Sequence, residues 1–250
     1  EQAEYVDRYF MREVYPVLTP MAVDSSRPFP LIRNKSLNIA ALLMDKKRKD
    51  TIDFATVQVP SVLPRIVTIP SEKEGETCII LLEQIIEKNI QKLFLNYKVL
   101  DATPYRVMRN ADLSIDEDEA EDLLKEIEQK LKKRQWGEVI RLDIEKKADK
   151  RLLDILKKEL HVGGHAIYEI DGPLDLTVLM KVFGLPGFDE FKTPPYTPQP
   201  VPALMNEDDI FANIREGDIL LTHPFETFEP VVNFIKKAAR DPEALAIKQT

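Results

Sequence analysis

Cysteine is nearly absent from this 250-residue sequence: Cys78 stands alone. A single thiol excludes an internal disulfide and cysteine metal clusters, and points to a reducing, cytoplasmic compartment. No apolar run approaches the roughly 20 residues of a membrane-spanning helix, and the opening EQAEYVDRYF lacks the basic-then-apolar pattern of a secretory leader. Neither a span nor secretion is expected, which leaves the cytoplasm, with attachment to a membrane only as part of a complex. An excess of positive charge is also lacking, since 35 Lys and Arg stand against 43 Asp and Glu for a net charge of −8. That excludes a nucleic-acid binder that works by neutralising phosphates over its whole surface, and leaves room for a local basic patch. Two nucleotide signatures are missing as well, the glycine-rich loop ending in Gly-Lys-Ser/Thr and the Gly-x-Gly-x-x-Gly fingerprint.

What is present is a hydrophobic share of 44%, enough for one or two packed cores. The sequence starts at Glu1 and closes on the strand-like Ala244–Thr250, so it is expected to be part of something longer. Residues 1 to 30 open with Tyr5, Tyr9 and Phe10 at helical spacing and then become irregular at Pro16, Pro20, Pro28 and Pro30. Ser36–Met44 and Ile52–Val59 flank the basic turn Lys46-Lys47-Arg48-Lys49 and predict a β-hairpin. Arg65–Ile69 predicts a short strand. Ile79, Leu82, Ile86, Ile90 and Leu93 predict a helix over 79–94. Tyr97–Met108 predicts a strand in which Pro104 marks an edge, a bulge or an interruption.

Asp116–Trp136 has acidic residues at its start, basic ones at its end and the stripe Leu123, Leu124, Ile127 and Leu131, with Gly137 placed to end a helix. The helix dipole accounts for that charge order without a ligand. Further on, Glu138–Ile144 predicts a strand, Lys150–Leu160 a helix and Ala166–Ile170 a strand. The mixture predicts an α+β fold with a mixed sheet rather than a regular parallel repeat. Six prolines between Gly184 and Pro202 form a semi-rigid connector. Beyond it, helices are expected at Glu207–Arg215 and Glu229–Arg240, and strands at Asp218–Thr222 and Ala244–Thr250. They read as the beginning of an α/β unit that needs neighbouring strands. The expected organisation is therefore a domain at 1–203, including the connector 184–203, and an incomplete one at 204–250.

Few residues announce chemistry. His161 and His165 are four apart, the spacing of two metal ligands on a helix, but the intervening Gly163 and Gly164 favour a turn. His223 follows an expected strand end, where ligand crevices lie in open α/β sheets; the alternative is a plain turn at His223-Pro224. Lys248, in an otherwise apolar strand, calls for an anionic partner unless it sits in water at an exposed strand end. Arg33, Lys35, Arg106 and Arg109 lie near strand ends and suit phosphate oxygens, the alternative being scattered surface charge. The rings of Tyr9, Phe10, Tyr15 and Phe29 are read as core plugs in preference to a subunit contact.

Three segments carry a family resemblance: Phe29-Pro30-Leu31-Ile32-Arg33-Asn34-Lys35-Ser36-Leu37-Asn38, Arg109-Asn110-Ala111-Asp112-Leu113, and Asp171-Gly172-Pro173-Leu174-Asp175-Leu176. They resemble the middle, or head, domain of bacterial polyphosphate kinases. Gly217–Phe228 and Ala246–Thr250 resemble the start of the first carboxyl-terminal catalytic domain of that family, which is similar to phospholipase D. The resemblance runs the whole length in the family's order. It implies reversible transfer of the terminal phosphate of ATP to polyphosphate, with magnesium and a phosphohistidine, in a homo-oligomer assembled through the head domain, which also walls the active-site tunnel.

It also implies that the catalytic histidine, in a His-x-Lys type motif, and the magnesium-binding arginines lie beyond Thr250. A nucleotide-binding asparagine lies before Glu1. None of His161, His165 and His223 fits the motif, so no catalytic or metal-binding residue is assigned here. The phosphate-path candidates are Lys248, His223, Arg106 and Arg109. An assembly module without chemistry is the alternative reading, and a metal-dependent hydrolase a distant third.

Overall fold

The computed structural model describes residues 1–23, 27–48, 51–110, 137–204 and 210–249. They fall into two compact units, Glu1–Leu185 and Pro186–Thr250. In the first unit the strands are β1 (Pro20–Val23), β2 (Leu37–Asp45), β3 (Ile52–Gln58), β4 (Ile66–Ile69), β5 (Cys78–Leu81), β6 (Tyr97–Arg109), β7 (Val139–Glu145) and β8 (Ile167–Ile170). Its helices are α1 (Gln2–Tyr9), α2 (Leu82–Asn89), α3 (Lys150–Glu159) and α4 (Val178–Phe183). Six strands form one sheet in the order β1-β3-β2-β6-β7-β8, and β4 pairs with β5 separately. All neighbours are antiparallel except β7 and β8, which run parallel. The α+β class expected from the sequence is thus the observed one.

The stretch Ile39–Met44 is apolar throughout because β2 is buried on both faces. Its alternate residues divide between two cores, Ile39, Ala41 and Leu43 on one side and Ala40 and Leu42 on the other. The first core takes Val6, Phe10 and Val14 from the opening helical segment and Leu82, Ile85 and Ile86 from α2. The second takes Leu152 and Leu156 from α3, one turn apart on a single face, together with Tyr105, Leu142 and Ile144. Helix α3 starts where Asp149 Oδ1 accepts the Arg151 backbone N–H at 2.8 Å, a side-chain cap on an otherwise unpaired donor.

The hairpin, the strand at β4, the long strand at β6 and the β7–α3–β8 crossover lie where the sequence predicts them. Several expectations need correction. Residues 20–23, read as irregular, form the edge strand β1 against β3. The segment 79–94 is a strand, β5, followed by helix α2 and a final 3₁₀ turn at Ile90–Leu93. Gln84 makes the break by accepting the Leu81 N–H through its side chain at 3.1 Å. Pro104 lies inside an interior strand, opposite Ile39, and the β6–β7 ladder starts one residue later at Tyr105. The donor that proline lacks therefore costs no bond to β7.

The rings expected to plug the core mostly do so. Phe10 is fully buried, Tyr15 meets it edge-on at 6.0 Å while remaining half exposed, and Phe29 packs on Phe54 at 5.4 Å. The helix expected over Asp116–Trp136 lies outside the described residues. Gly137 is needed for a close approach, because a Cβ there would run into the Asn110 carbonyl oxygen.

The second unit holds α5 (Ile210–Glu216) and α6 (Glu229–Ala238), with a small core of Val201, Leu204 and Ile210. The connector returns to the chain at Gln199, whose N–H donates to Phe225 O at 2.8 Å and whose carbonyl accepts from the Thr227 N–H at 2.9 Å. The two strands expected here do not form: 218–222 and 244–249 have no ladder partner among the described residues. Leu220, Leu245 and Ile247 stand almost wholly exposed. An extended segment without a neighbour has no inter-strand hydrogen bonds to hold it as a strand.

Candidate functional site

The segments at 29–38, 109–110 and 171–176, distant in sequence, are fastened to one another at one end of the sheet of the first unit. Arg109 is the first clasp. Its backbone N–H donates to Asn34 Oδ1 at 3.0 Å, Nε donates to Ile32 O at 2.9 Å, and Nη1 donates to Gly137 O at 2.8 Å. Burial pulls its guanidinium below the ordinary arginine value. Lys35 occupies the left-handed region at φ 60 and donates its N–H to Val107 O at 2.8 Å, while Ser36 closes the turn through Oγ to Arg33 O at 2.8 Å. The loop at 33–36 is therefore pinned to β6 from two sides.

The second clasp is ionic. Arg65, at the head of β4, donates Nε to both Glu83 oxygens at 3.1 Å and Nη2 to Glu83 Oε1 at 2.6 Å, and Nη1 donates to Asp175 O at 2.7 Å. Arg106 on β6 donates Nε to Lys35 O at 3.2 Å and pairs with Asp175 Oδ1 at 3.5 Å. Asp175 also accepts from Thr177 Oγ1 at 2.8 Å. The Arg65 and Glu83 side chains are only 13% and 5% exposed, so their charges are held mainly by one another.

Between these loops opens a cleft of about 400 Å³ bordered by Arg33, Lys35, Ser36, Arg65, Asp175 and Lys181. Arg33, Lys35 and Lys181 are exposed. Elsewhere in the first unit, Glu87 on α2 is pushed up to about 8, first by burial and then by Glu145, Glu83 and Asp101.

The four phosphate-path candidates separate in the structure. Arg106 and Arg109 share β6 and are occupied with carbonyls and Asp175. His223 is exposed in the second unit, its Nδ1 2.9 Å from Glu226 O and its ring edge-on to Phe228 at 5.1 Å. Lys248 is exposed and belongs to no strand, which corrects the strand placement expected for it. His161 and His165 lie in a turn, as their glycines predict: His161 has φ 55 and His165 sits in a 3₁₀ turn, so the two do not share a helix face.

Sequence reasoning missed Arg65, Glu83 and Lys181. The only available signal was that Asp175, in a quoted motif, needed a basic partner. Among the described residues no three His, Cys, Asp or Glu side chains converge as metal ligands. Nor, among them, is any helix long and apolar enough to cross a membrane.

Comparison with known proteins gives this arrangement a class. Residues 1–182 match the family described as polyphosphate kinase middle domain, and residues 209–250 match polyphosphate kinase C-terminal domain 1. The stretch between the two matches contains the proline-rich connector. The chain belongs to the polyphosphate kinase family.

Among its relatives, a polyphosphate kinase of Bacillus cereus is 46% identical over 256 aligned positions, covering 100% of this chain and 36% of the relative. One of Lactiplantibacillus plantarum is 45% identical over 251 positions, covering 100% and 34%. The crystal structure of polyphosphate kinase from Porphyromonas gingivalis superposes with a TM-score of 0.65 at 23% identity, over 96% of this chain and 34% of that one, which shows the shared fold. The chain spans about a third of the length of the curated relatives it matches.

Proposed function

We propose that the protein carrying this chain is a polyphosphate kinase that moves the terminal phosphate of ATP reversibly onto polyphosphate through a phosphohistidine. In this reading residues 1–250 supply head-domain architecture, a dimer surface and walls of the active-site tunnel, while the phosphohistidine and the magnesium ligands come from other parts of the protein. The observation that carries it is the match of two successive family domains, in order, along the chain. In-line transfer at phosphorus depends on positioned cations more than on acid-base groups, and Arg65 and Arg106 meet at Asp175, a residue of one family-like segment.

The assembly role draws support from α4. Leu176, Leu179, Met180 and Phe183 recur at helical spacing and are all more than half exposed, an apolar stripe suited to a protein contact. The test is incubation of the full-length protein with ATP labelled at its terminal phosphate. Label is expected in acid-insoluble polyphosphate and in an acid-labile phosphoprotein. A folded protein that labels neither overturns the proposal.

A further inference from the structure

The cations around the cleft of the first unit divide into two sets. Arg65 and Arg106 are engaged, the one by Glu83 and Asp175, the other by Asp175 and the Lys35 carbonyl. Arg33, Lys35 and Lys181 border the same space, are exposed, and have no salt-bridge partner among the described residues. Asp175, the one carboxylate among the residues lining this cleft, cannot neutralise them: Oδ1 already faces Thr177 and Arg106, and Oδ2 faces Arg65 at 3.6 Å.

Three cations with no salt bridge among the described residues therefore border one cleft of a protein whose net charge is −8. Cations placed around one cleft repel one another, and a bound anion relieves that repulsion. The loop that presents Arg33 and Lys35 is pinned to β6 through Asn34 and Lys35 N and closed on itself by the Ser36 hydroxyl, so little ordering remains to be done on binding. Ser36, Ser61 and Thr177 line the cleft as well and bring hydroxyls.

We propose that this cleft binds a chain of linked phosphoryl groups, with Arg33, Lys35 and Lys181 contacting non-bridging oxygens. A guanidinium engages two such oxygens in its plane and each ammonium acts as a point charge, which suits an anion carrying several charges along its length better than a lone carboxylate. Inorganic polyphosphate and the triphosphate of a nucleotide share this chemistry. The choice of ligand rests on the polyphosphate kinase reading; the cation cluster does not.

The test uses the full-length protein and titrates tripolyphosphate, ATP and orthophosphate calorimetrically at low and moderate salt. The triple variant Arg33→Gln, Lys35→Gln, Lys181→Gln is compared with an equally charged control, Lys147→Gln, Lys157→Gln, Lys158→Gln. The expected result is that the cleft variant loses about tenfold or more in tripolyphosphate affinity, with a weaker salt dependence, while the control stays within about twofold. The charge-conserving variant Arg33→Lys, Lys35→Arg, Lys181→Arg should keep most of the binding.

Equal losses in the cleft and control variants, unchanged binding in the cleft variant, or orthophosphate bound as tightly as tripolyphosphate would each overturn the proposal. Loss for tripolyphosphate with ATP unaffected supports it and assigns the inorganic chain, whereas parallel loss for both supports it with the nucleotide's phosphates included. A protein that makes no polyphosphate yet loses tripolyphosphate binding in the cleft variant would sink the kinase reading and leave the site standing. One that makes polyphosphate while the cleft variant binds as before would do the reverse.

Discussion

Replacing Arg65 by methionine keeps most of the side-chain stem and removes the charge that Glu83 relies on. Glu83 lies almost wholly out of water, and the guanidinium reaches it through three contacts of 2.6 to 3.1 Å. Taking one partner from a buried pair costs about 3–5 kcal/mol, because the remaining charge is left uncompensated. For a unit the size of Glu1–Leu185 each kcal/mol moves the melting temperature by about 2–4 °C. Thermal unfolding followed by circular dichroism should therefore drop by roughly 10 °C in Arg65→Met. The double variant Arg65→Met, Glu83→Leu removes both charges and should recover most of that loss, since Asp175 still has Arg106. A shift under about 2 °C in the single variant, or a double variant no better than the single, would refute the view that this pair fastens β4 to α2.

Three other perturbations have signed outcomes. Glu87 is held at about 8 in the folded state against an ordinary 4.5, so the fold keeps a proton that the unfolded chain releases. Stability is then greatest below the ordinary value and declines as pH rises towards 8. Glu87→Gln should flatten that decline in denaturant titrations and gain about 1–2 kcal/mol at the alkaline end, after allowance for partial solvent access; parallel pH profiles in the two proteins would contradict it. Asp149→Ala removes the cap of α3 and should cost about 1 kcal/mol in urea unfolding, whereas Asp149→Ser should keep most of it. Tyr105→Phe deletes the hydroxyl that meets Thr56 Oγ1 at 2.8 Å in the core and should cost about 1–2 kcal/mol, with Tyr105→Phe, Thr56→Val milder than the single change.

The sequence was most readable where one local rule acted alone. The hairpin of β2 and β3 follows from two apolar stretches around four basic residues, and α3 from the helical spacing over Lys150–Leu160. It was least readable where two rules gave the same pattern. Ile79 and Leu82 are three apart, which suits a helix, but Ile79 pairs with Thr68 in a strand and the helix starts only at Leu82. Pro104 suggests a sheet edge because sequence does not reveal where a neighbouring strand stops. The strands expected at 218–222 and 244–249 need partners that no local pattern guarantees.

For the site, the resemblance singled out loops that the structure fastens together, and Arg106 and Arg109 hold fastening roles there. Arg65 and Asp175 are 110 positions apart, and Arg65 and Glu83 belong to different elements, so no spacing rule links them. The three exposed cations of the cleft were partly visible: Arg33 and Lys35 stood out near a strand end, while no pattern singled out Lys181.

The placement of β2 between β3 and β6 also has a consequence during synthesis. The hairpin can close once Gln58 has been made, but the other side of β2 waits for β6, which begins 97 − 45 = 52 residues after β2 ends. At about 5–20 residues per second, translation leaves that edge open for roughly 3–10 s, with apolar residues on both faces of the strand. A largely apolar strand with one open edge is the type that joins to a copy of itself on a neighbouring nascent chain. Lys46, Lys47 and Arg48 put three positive charges directly after it, and repulsion between such turns would keep two growing chains from zipping together in register until β6 arrives.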